Sequence, residues 1–209
     1  MRDAENWNMR KLTLATLVVA LAGVAVQGFA SESPKSNLVA AIPSSGAIMG
    51  KGQLTRVQLA DVLLAENPAL DKGFARDFSQ MYITEAAAEG VNHDIAFSQM
   101  CVETNFFKFD GLVTRESNNF GGIGVIDDQN RGVLFPSTLI GVRAQIQHLK
   151  GYATKEPLAQ ARVDPRYYNI FHGSAPLISD LSGRWSTNIA YGESLRNVTR
   201  ETGKKLVRG

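Results

Sequence analysis

Residues 82–104 read YITEAAAEGVNHDIAFSQMCVET, and the folding of this stretch decides the architecture of the chain. Just ahead of it and into it, Phe74, Phe78, Met81 and Tyr82 recur at helical spacing, and Glu85–Ala88 continues the pattern up to Gly90. Glycine readily takes the left-handed conformation that closes a helix, so the spacing predicts a helix over about 72–89. Asn92 offers a capping oxygen to the next helix, which carries Ile95, Ala96 and Met100 and ends at Glu103. This second helix is apolar along most of its length, yet it closes on a carboxylate with Phe106, Phe107 and Phe109 just beyond it.

The flanking sequence extends the helical reading. Thr55-Arg-Val-Gln58 has the form of a capping box and opens a series Val57, Leu59, Val62, Leu63, which Pro68 stops. Beyond the aromatic run, residues 108–136 are punctuated by Gly111, Gly121, Gly122, Gly124, Gly132 and Pro136. Short apolar pieces at 123–126 and 133–135 make this segment loops with room for a small hairpin. Helix returns at Ser137, where Leu139, Val142, Ile146, Leu149 and Ala153 repeat at alternating spacings of three and four. Residues 154–184 are irregular, and a last helix carries Tyr191, Leu195, Val198 and Thr202 on one face. Arg200, Lys204, Lys205 and Arg208 suit its C-terminal dipole. The expected fold class is mainly α with one glycine-rich lobe.

Composition narrows the function. The 209 residues hold 22 Lys+Arg against 20 Asp+Glu and a single cysteine, Cys101. So even a balance lacks the basic stripe of a nucleic-acid binder, and one cysteine cannot form an internal disulfide or a cysteine-based metal site. Residues 12–26 form an uncharged apolar run with Arg10 and Lys11 ahead of it and Gly28-Phe29-Ala30 behind. That is the pattern of a secretory signal peptide over residues 1–30, cleaved near Ala30, and the run is short for a membrane-spanning helix. The expected protein is therefore secreted or periplasmic, with no membrane attachment after cleavage. A flexible leader is expected over 31–53 and a folded domain over 54–209.

Chemistry-bearing motifs are few. There is no nucleophile elbow, phosphate loop or dinucleotide fingerprint, and His93, His148 and His172 show no metal-ligand spacing. No metal and no cofactor is expected. Cys101, on an apolar helix, reads as a small buried hydrophobe, Arg143, which could bind a carboxylate, as part of a solvated face, and His148 as a structural hydrogen-bonding residue. Asp94 suits the positive end of its helix. Glu103 stands out, because a carboxyl set against apolar surface is desolvated, keeps its proton near neutrality and can donate it. The pattern alone leaves this open against an ordinary solvated helix-end glutamate.

Several segments, taken in order, resemble one family. Gln99 to Thr104 is similar to a Gln-x-x-x-Glu-(Ser/Thr) helix, and Asn118-Asn119-Phe120-Gly121-Gly122-Ile123-Gly124 to an Asn-x-Phe-Gly-Ile motif. Residues 141–153 resemble the next helix of that family, and 183–192 a Trp…Tyr-(Gly/Ala) segment. Together they resemble the N-acetylglucosaminidases of glycoside hydrolase family 73, also described as mannosyl-glycoprotein endo-β-N-acetylglucosaminidase-like.

The resemblance implies a lysozyme-like fold with a substrate groove between a helical lobe and the 108–136 lobe. It implies Glu103 as general acid, Tyr191 beside it, and Gln99, Asn119, Phe120, Gly121 and Trp185 in substrate binding. Read without the resemblance, Tyr191 is a core aromatic at helical spacing, and Trp185 is either a core plug or a floor for sugar stacking. A second carboxylate is sought in the glycine-rich lobe, with Asp127 and Asp128 ahead of Glu116 and Asp110, although Asp127-Asp128 is also ordinary turn sequence. A substrate acetamido group can take its place. The expected partner is a glycan, namely peptidoglycan or a related N-acetylglucosamine polymer. Cleavage of the N-glycan core, a lytic transglycosylase and a non-catalytic glycan-binding wall protein are the rival readings.

Overall fold

The computed structural model describes residues 46–205, with side chains through Arg200. The expected signal peptide, most of the expected leader and Arg208 lie outside the described residues. Five α-helices run in order within them: α1 Arg56–Glu66, α2 Lys72–Glu89, α3 His93–Glu103, α4 Thr138–Ala153 and α5 Tyr191–Lys205. Three short 3-10 turns, Arg115–Ser117, Tyr167–Asn169 and Ile178–Leu181, punctuate the connections. The chain is mainly helical, as expected. None of the described helices is long and apolar enough to cross a membrane.

Local chemistry accounts for the helix ends. Thr55 and Gln58 form the reciprocal capping box of α1, and the helix stops at Glu66, two residues before Pro68. The Asp71 carboxylate accepts from the Phe74 amide at the start of α2, and Gly90 closes that helix at φ +73°. Asn92 Oδ1 accepts from the Asp94 amide to open α3, and Ser137 caps α4. Each such cap is worth about 1 kcal/mol.

Helix α3 is the centre of this helical domain. Every residue from His93 to Cys101 is buried, so it is covered on all sides rather than on one stripe. Helix α2 packs against α1, α3 and α4, while α5 packs against α3. Phe78 of α2 sits at the hub of an aromatic cluster, with ring centroids 4.9 Å from Phe107, 5.0 Å from Phe120 and 5.2 Å from Tyr82. Cys101 is buried in this core, and burial pushes its thiol far above the ordinary range.

Three local expectations need correction. Residues 46–53, assigned by sequence to the flexible leader, belong to the folded domain. The Ile48 amide donates to Pro176 O and its carbonyl accepts from Asn92 N, while the Ile48 side chain is fully buried. Asp94 draws the next residues inward, accepting from the amides of Gln53 (2.7 Å) and Leu54 (3.1 Å). The hairpin of 123–135 is reduced to one isolated bridge between Val125 and Arg131, because Gly124 (φ +76°) and Gly132 (φ +86°) leave the extended conformation a ladder needs. Arg143 is not on a solvated face. It makes a two-pronged ion pair with Glu85, at 2.7 and 3.1 Å.

The irregular 154–166 segment is held by side chains of α2 and α4. Glu89 accepts from Lys150 Nζ (2.9 Å) and from the amides of Ala159 (2.8 Å) and Gln160 (3.1 Å). Gln147 accepts from Val163 N at 2.8 Å, and His148 Nδ1 lies 2.6 Å from Asp164, in keeping with a structural role. Burial by itself pushes the Glu85 and Glu89 carboxyls up, but these donors outweigh it and hold both below the ordinary glutamate value.

Candidate active site

Glu103 is the last residue of α3 and is half-buried. The turn immediately after it fixes its position. Asn105, Phe106, Phe107 and Phe109 all have φ between +45° and +66°, a left-handed excursion that costs L-residues roughly 1–2 kcal/mol each. Burial of Phe107, hydrogen bonds from Asn67 Nδ2 to the carbonyls of Phe106 and Phe107, and a bond from the Phe107 amide to Thr104 Oγ1 offset that strain. The reversal sends the phenylalanines back into the core and leaves Glu103 at the rim.

Tyr191, the first residue of α5, meets Glu103 there. Its hydroxyl donates a hydrogen bond to Glu103 Oε1. The ring is 5% exposed. Burial first, then the charge of Glu103 and the hydrogen bond to it, push the phenol well above its ordinary range, with the Gln99 hydrogen bond pulling the other way. The phenol is therefore a proton-bearing donor throughout the neutral range.

Behind this pair lies a buried chain of hydrogen bonds. Gln99, one turn before Glu103, donates from Nε2 to the Tyr191 hydroxyl at 3.1 Å. Gln145 of α4 donates from Nε2 to Gln99 Oε1 at 2.9 Å and to the Ala96 carbonyl at 3.0 Å. Tyr82 of α2 donates to Gln145 Oε1 at 2.5 Å. Tyr82, Gln99 and Gln145 have no exposed surface. Gln145 and Tyr82 did not emerge as site residues from sequence, since Gln145 merely precedes the stripe residue Ile146 and Tyr82 reads as a core aromatic.

The other sequence candidates fall into four groups. Asn119 and Phe120 are buried beneath the surface. Asn119 closes a turn, donating to Ile123 O (2.9 Å) and accepting from Ile123 N (2.8 Å), and Phe120 belongs to the aromatic core. Gly121 and Gly122 bring backbone against the site. A Cβ at Gly121 would lie 2.9 Å from Gln145 Cγ, and one at Gly122 (φ +63°) 3.0 Å from Glu103 Oε2. Trp185, half-buried, donates from Nε1 to Gly121 O at 3.2 Å and meets His148 edge-on at 5.0 Å.

Asp127 and Asp128 are exposed on the turn between Val125 and Arg131. Asp127 accepts from the Asn130 amide (2.8 Å), the Asn130 side chain (3.0 Å) and the Gln129 amide (2.9 Å). These bonds, the Asn130 amide foremost, hold its carboxyl below the usual range. Asp128 faces Arg131 at 3.6 Å. The turn chemistry read from sequence is present, and Asp127 is committed to it. Among the described residues, no three His, Cys, Asp or Glu side chains come together in a way that could hold a metal ion.

Most of this helical domain has a counterpart among known sequences. Residues 79–204 match the glucosaminidase family, described as mannosyl-glycoprotein endo-beta-N-acetylglucosaminidase, and the chain belongs to that family. It is also 39% identical over 154 residues to an uncharacterized protein of Borreliella burgdorferi, a match spanning 74% of this chain and 76% of that protein. No solved structure matches. Family membership makes this a glycosidase acting on N-acetylglucosamine linkages, with a glycan as substrate.

Proposed function

We propose that the protein is an exported hydrolase that cuts β-1,4 bonds after N-acetylglucosamine in peptidoglycan, with Glu103 as general acid. The observation that carries this reading is the Tyr191 hydroxyl donating to Glu103 Oε1 at the rim of an otherwise closed core. Glu103 delivers a proton to the glycosidic oxygen as the C–O bond breaks and oxocarbenium-like charge develops on the sugar. The carboxylate left behind is stabilised by the phenol, a bond to an ionised acceptor that strengthens as charge appears. Gly122, lacking a Cβ next to Oε2, leaves space for a sugar oxygen to approach. The glycine-rich 108–136 segment forms the far side of the groove, and Trp185 offers a partly exposed ring for stacking.

The second group is assigned to this same segment. Asp128 is the better candidate base of the turn pair, since three hydrogen bonds already occupy Asp127. The substrate acetamido group is the alternative nucleophile. The family description favours a second reading, cleavage of the N-glycan core of mannosyl-glycoproteins. Export rests on the signal-peptide pattern of residues 1–30.

A cell-wall zymogram comparing wild type with Glu103→Gln tests the reading. Loss of clearing with wall binding retained supports it, and equal clearing by both proteins removes Glu103 from the mechanism. Mass spectrometry of the products separates the substrates and chemistries: a reducing N-acetylglucosamine end from peptidoglycan is expected. An anhydromuramyl end would mean a transglycosylase, and product only from a mannosyl-glycoprotein would favour the second reading.

A further inference from the structure

Two buried amides, Gln99 and Gln145, could in principle face either way, since carbonyl oxygen and NH2 have almost the same shape. Their surroundings leave one arrangement. The Ala96 carbonyl, 3.0 Å from Gln145, can only accept, so the NH2 of Gln145 must face it. The Gln145 oxygen then faces Tyr82, whose hydroxyl donates. The second N–H of Gln145 requires Gln99 to present its oxygen, which turns the Gln99 NH2 toward Tyr191. The Tyr191 oxygen thus receives a hydrogen bond, and its own proton is directed to Glu103 Oε1.

We infer that Gln145 and Gln99 are positioning residues whose hydrogen bonds, oriented by the helix carbonyl of Ala96, commit the Tyr191 hydroxyl to donate to Glu103. Neither amide touches substrate, because both are sealed from solvent. Their effect passes through Tyr191. With the amides in place, the phenol is pre-aimed at the oxygen on which charge appears, so no reorganisation is needed during the reaction. Without them, the hydroxyl is free to rotate away from Glu103. This assigns Gln99, the polar residue of the Gln-x-x-x-Glu segment, a place behind the acid rather than in the groove. The inference rests on the reading of Glu103 as the acid.

The test uses Gln99→Met and Gln145→Met, near-isosteric replacements that remove the polar ends. Each should lower kcat by about 10-fold or more while KM stays within about twofold, the pattern of an interaction spent on the transition state. In a Tyr191→Phe background, the same replacements should have almost no further effect on kcat, because the group they act through is gone. Wild-type kcat in both single variants, or the same loss in both backgrounds, would overturn the inference.

Should these variants fail to fold, the wild-type protein still decides by nuclear magnetic resonance. The side-chain NH2 protons of Gln99 and Gln145 should exchange slowly, and those of Gln99 should cross-relax with the Tyr191 hydroxyl proton. Exchange at the rate of a free amide sinks the proposal. Glu103→Gln separates the two levels. Inactivity of that variant alongside normal Gln99 and Gln145 variants discards only the relay, whereas activity of that variant discards the acid itself.

Discussion

Tyr191 and Glu103 stand 88 residues apart in sequence, yet the hydroxyl of the first donates directly to the carboxyl of the second. One begins α5 and the other ends α3, so the packing of two helix termini creates the pair. Removing either partner has different consequences, and the difference is measurable.

Glu103→Gln preserves shape and keeps an oxygen for Tyr191 while abolishing proton donation. Turnover of cell-wall substrate should fall by roughly 10²–10⁴-fold, the usual contribution of a general acid. Circular dichroism and the melting temperature should be close to wild type. A fall in activity accompanied by loss of fold would point to structure instead.

Tyr191→Phe removes one oxygen and leaves the Gln99 NH2 and Glu103 Oε1 without their shared partner. A hydrogen bond to a charged group is worth about 1.5–3 kcal/mol, so kcat should drop roughly 10- to 100-fold. Steady-state kinetics on a soluble glycan fragment would read this, and an unchanged kcat would show that the phenol plays no part.

Buried phenols set an alkaline limit on stability. The pKa values of Tyr82 and Tyr191 are both raised well above the ordinary value in the folded state, with burial the foremost cause. Groups raised on folding contribute stability that is full below their unfolded pKa, about 10, and is lost as pH climbs above it. Ultraviolet titration should show these two tyrosines ionising only together with unfolding. Smooth ionisation of every tyrosine in the folded protein would contradict their burial.

Glu85 and Glu89 set an acid limit. Both are held below the ordinary glutamate value, so their contribution is present above about pH 4.3 and is lost as pH falls through their folded values. The variant Glu89→Gln should melt at a lower temperature at neutral pH, having lost its charged bond to Lys150. Its melting temperature should also vary less with pH between about 5 and 3. Parallel wild-type and variant curves through that range would argue against Glu89.

Two glycines separate fold from function. At Gly141 a Cβ would lie 1.8 Å from the Asn118 carbonyl oxygen, a backbone clash, so Gly141→Ala should destabilise the protein by about 3 kcal/mol or more. At Gly122 the nearest obstacle is the Glu103 carboxylate, and Gly122→Ala adds only the roughly 1–2 kcal/mol of a left-handed alanine. That variant should stay folded and lose activity, because its methyl displaces Oε2. Thermal melts and zymograms of the two variants should therefore diverge.

The linear sequence carried the helices and two of their caps, Thr55 and Asn92, with the apolar spacing of α2 and α4, since these features, like the Asp71 and Ser137 caps found in the structure, act within one turn or one segment. It also placed a carboxyl at the end of α3 beside a run of phenylalanines. The tertiary structure decided which polar residues lie inside. Glu85, Glu89 and Gln145 look solvent-bound in a linear reading, and their burial depends on partners brought from segments 46 to 75 positions away. It also decided that residues 46–53 join the domain, since the Gln53 amide there, like that of Leu54 beside it, finds its acceptor only in Asp94. Spacing is local and can be read along the chain, whereas the partner of a buried hydrogen bond is chosen by how whole helices pack.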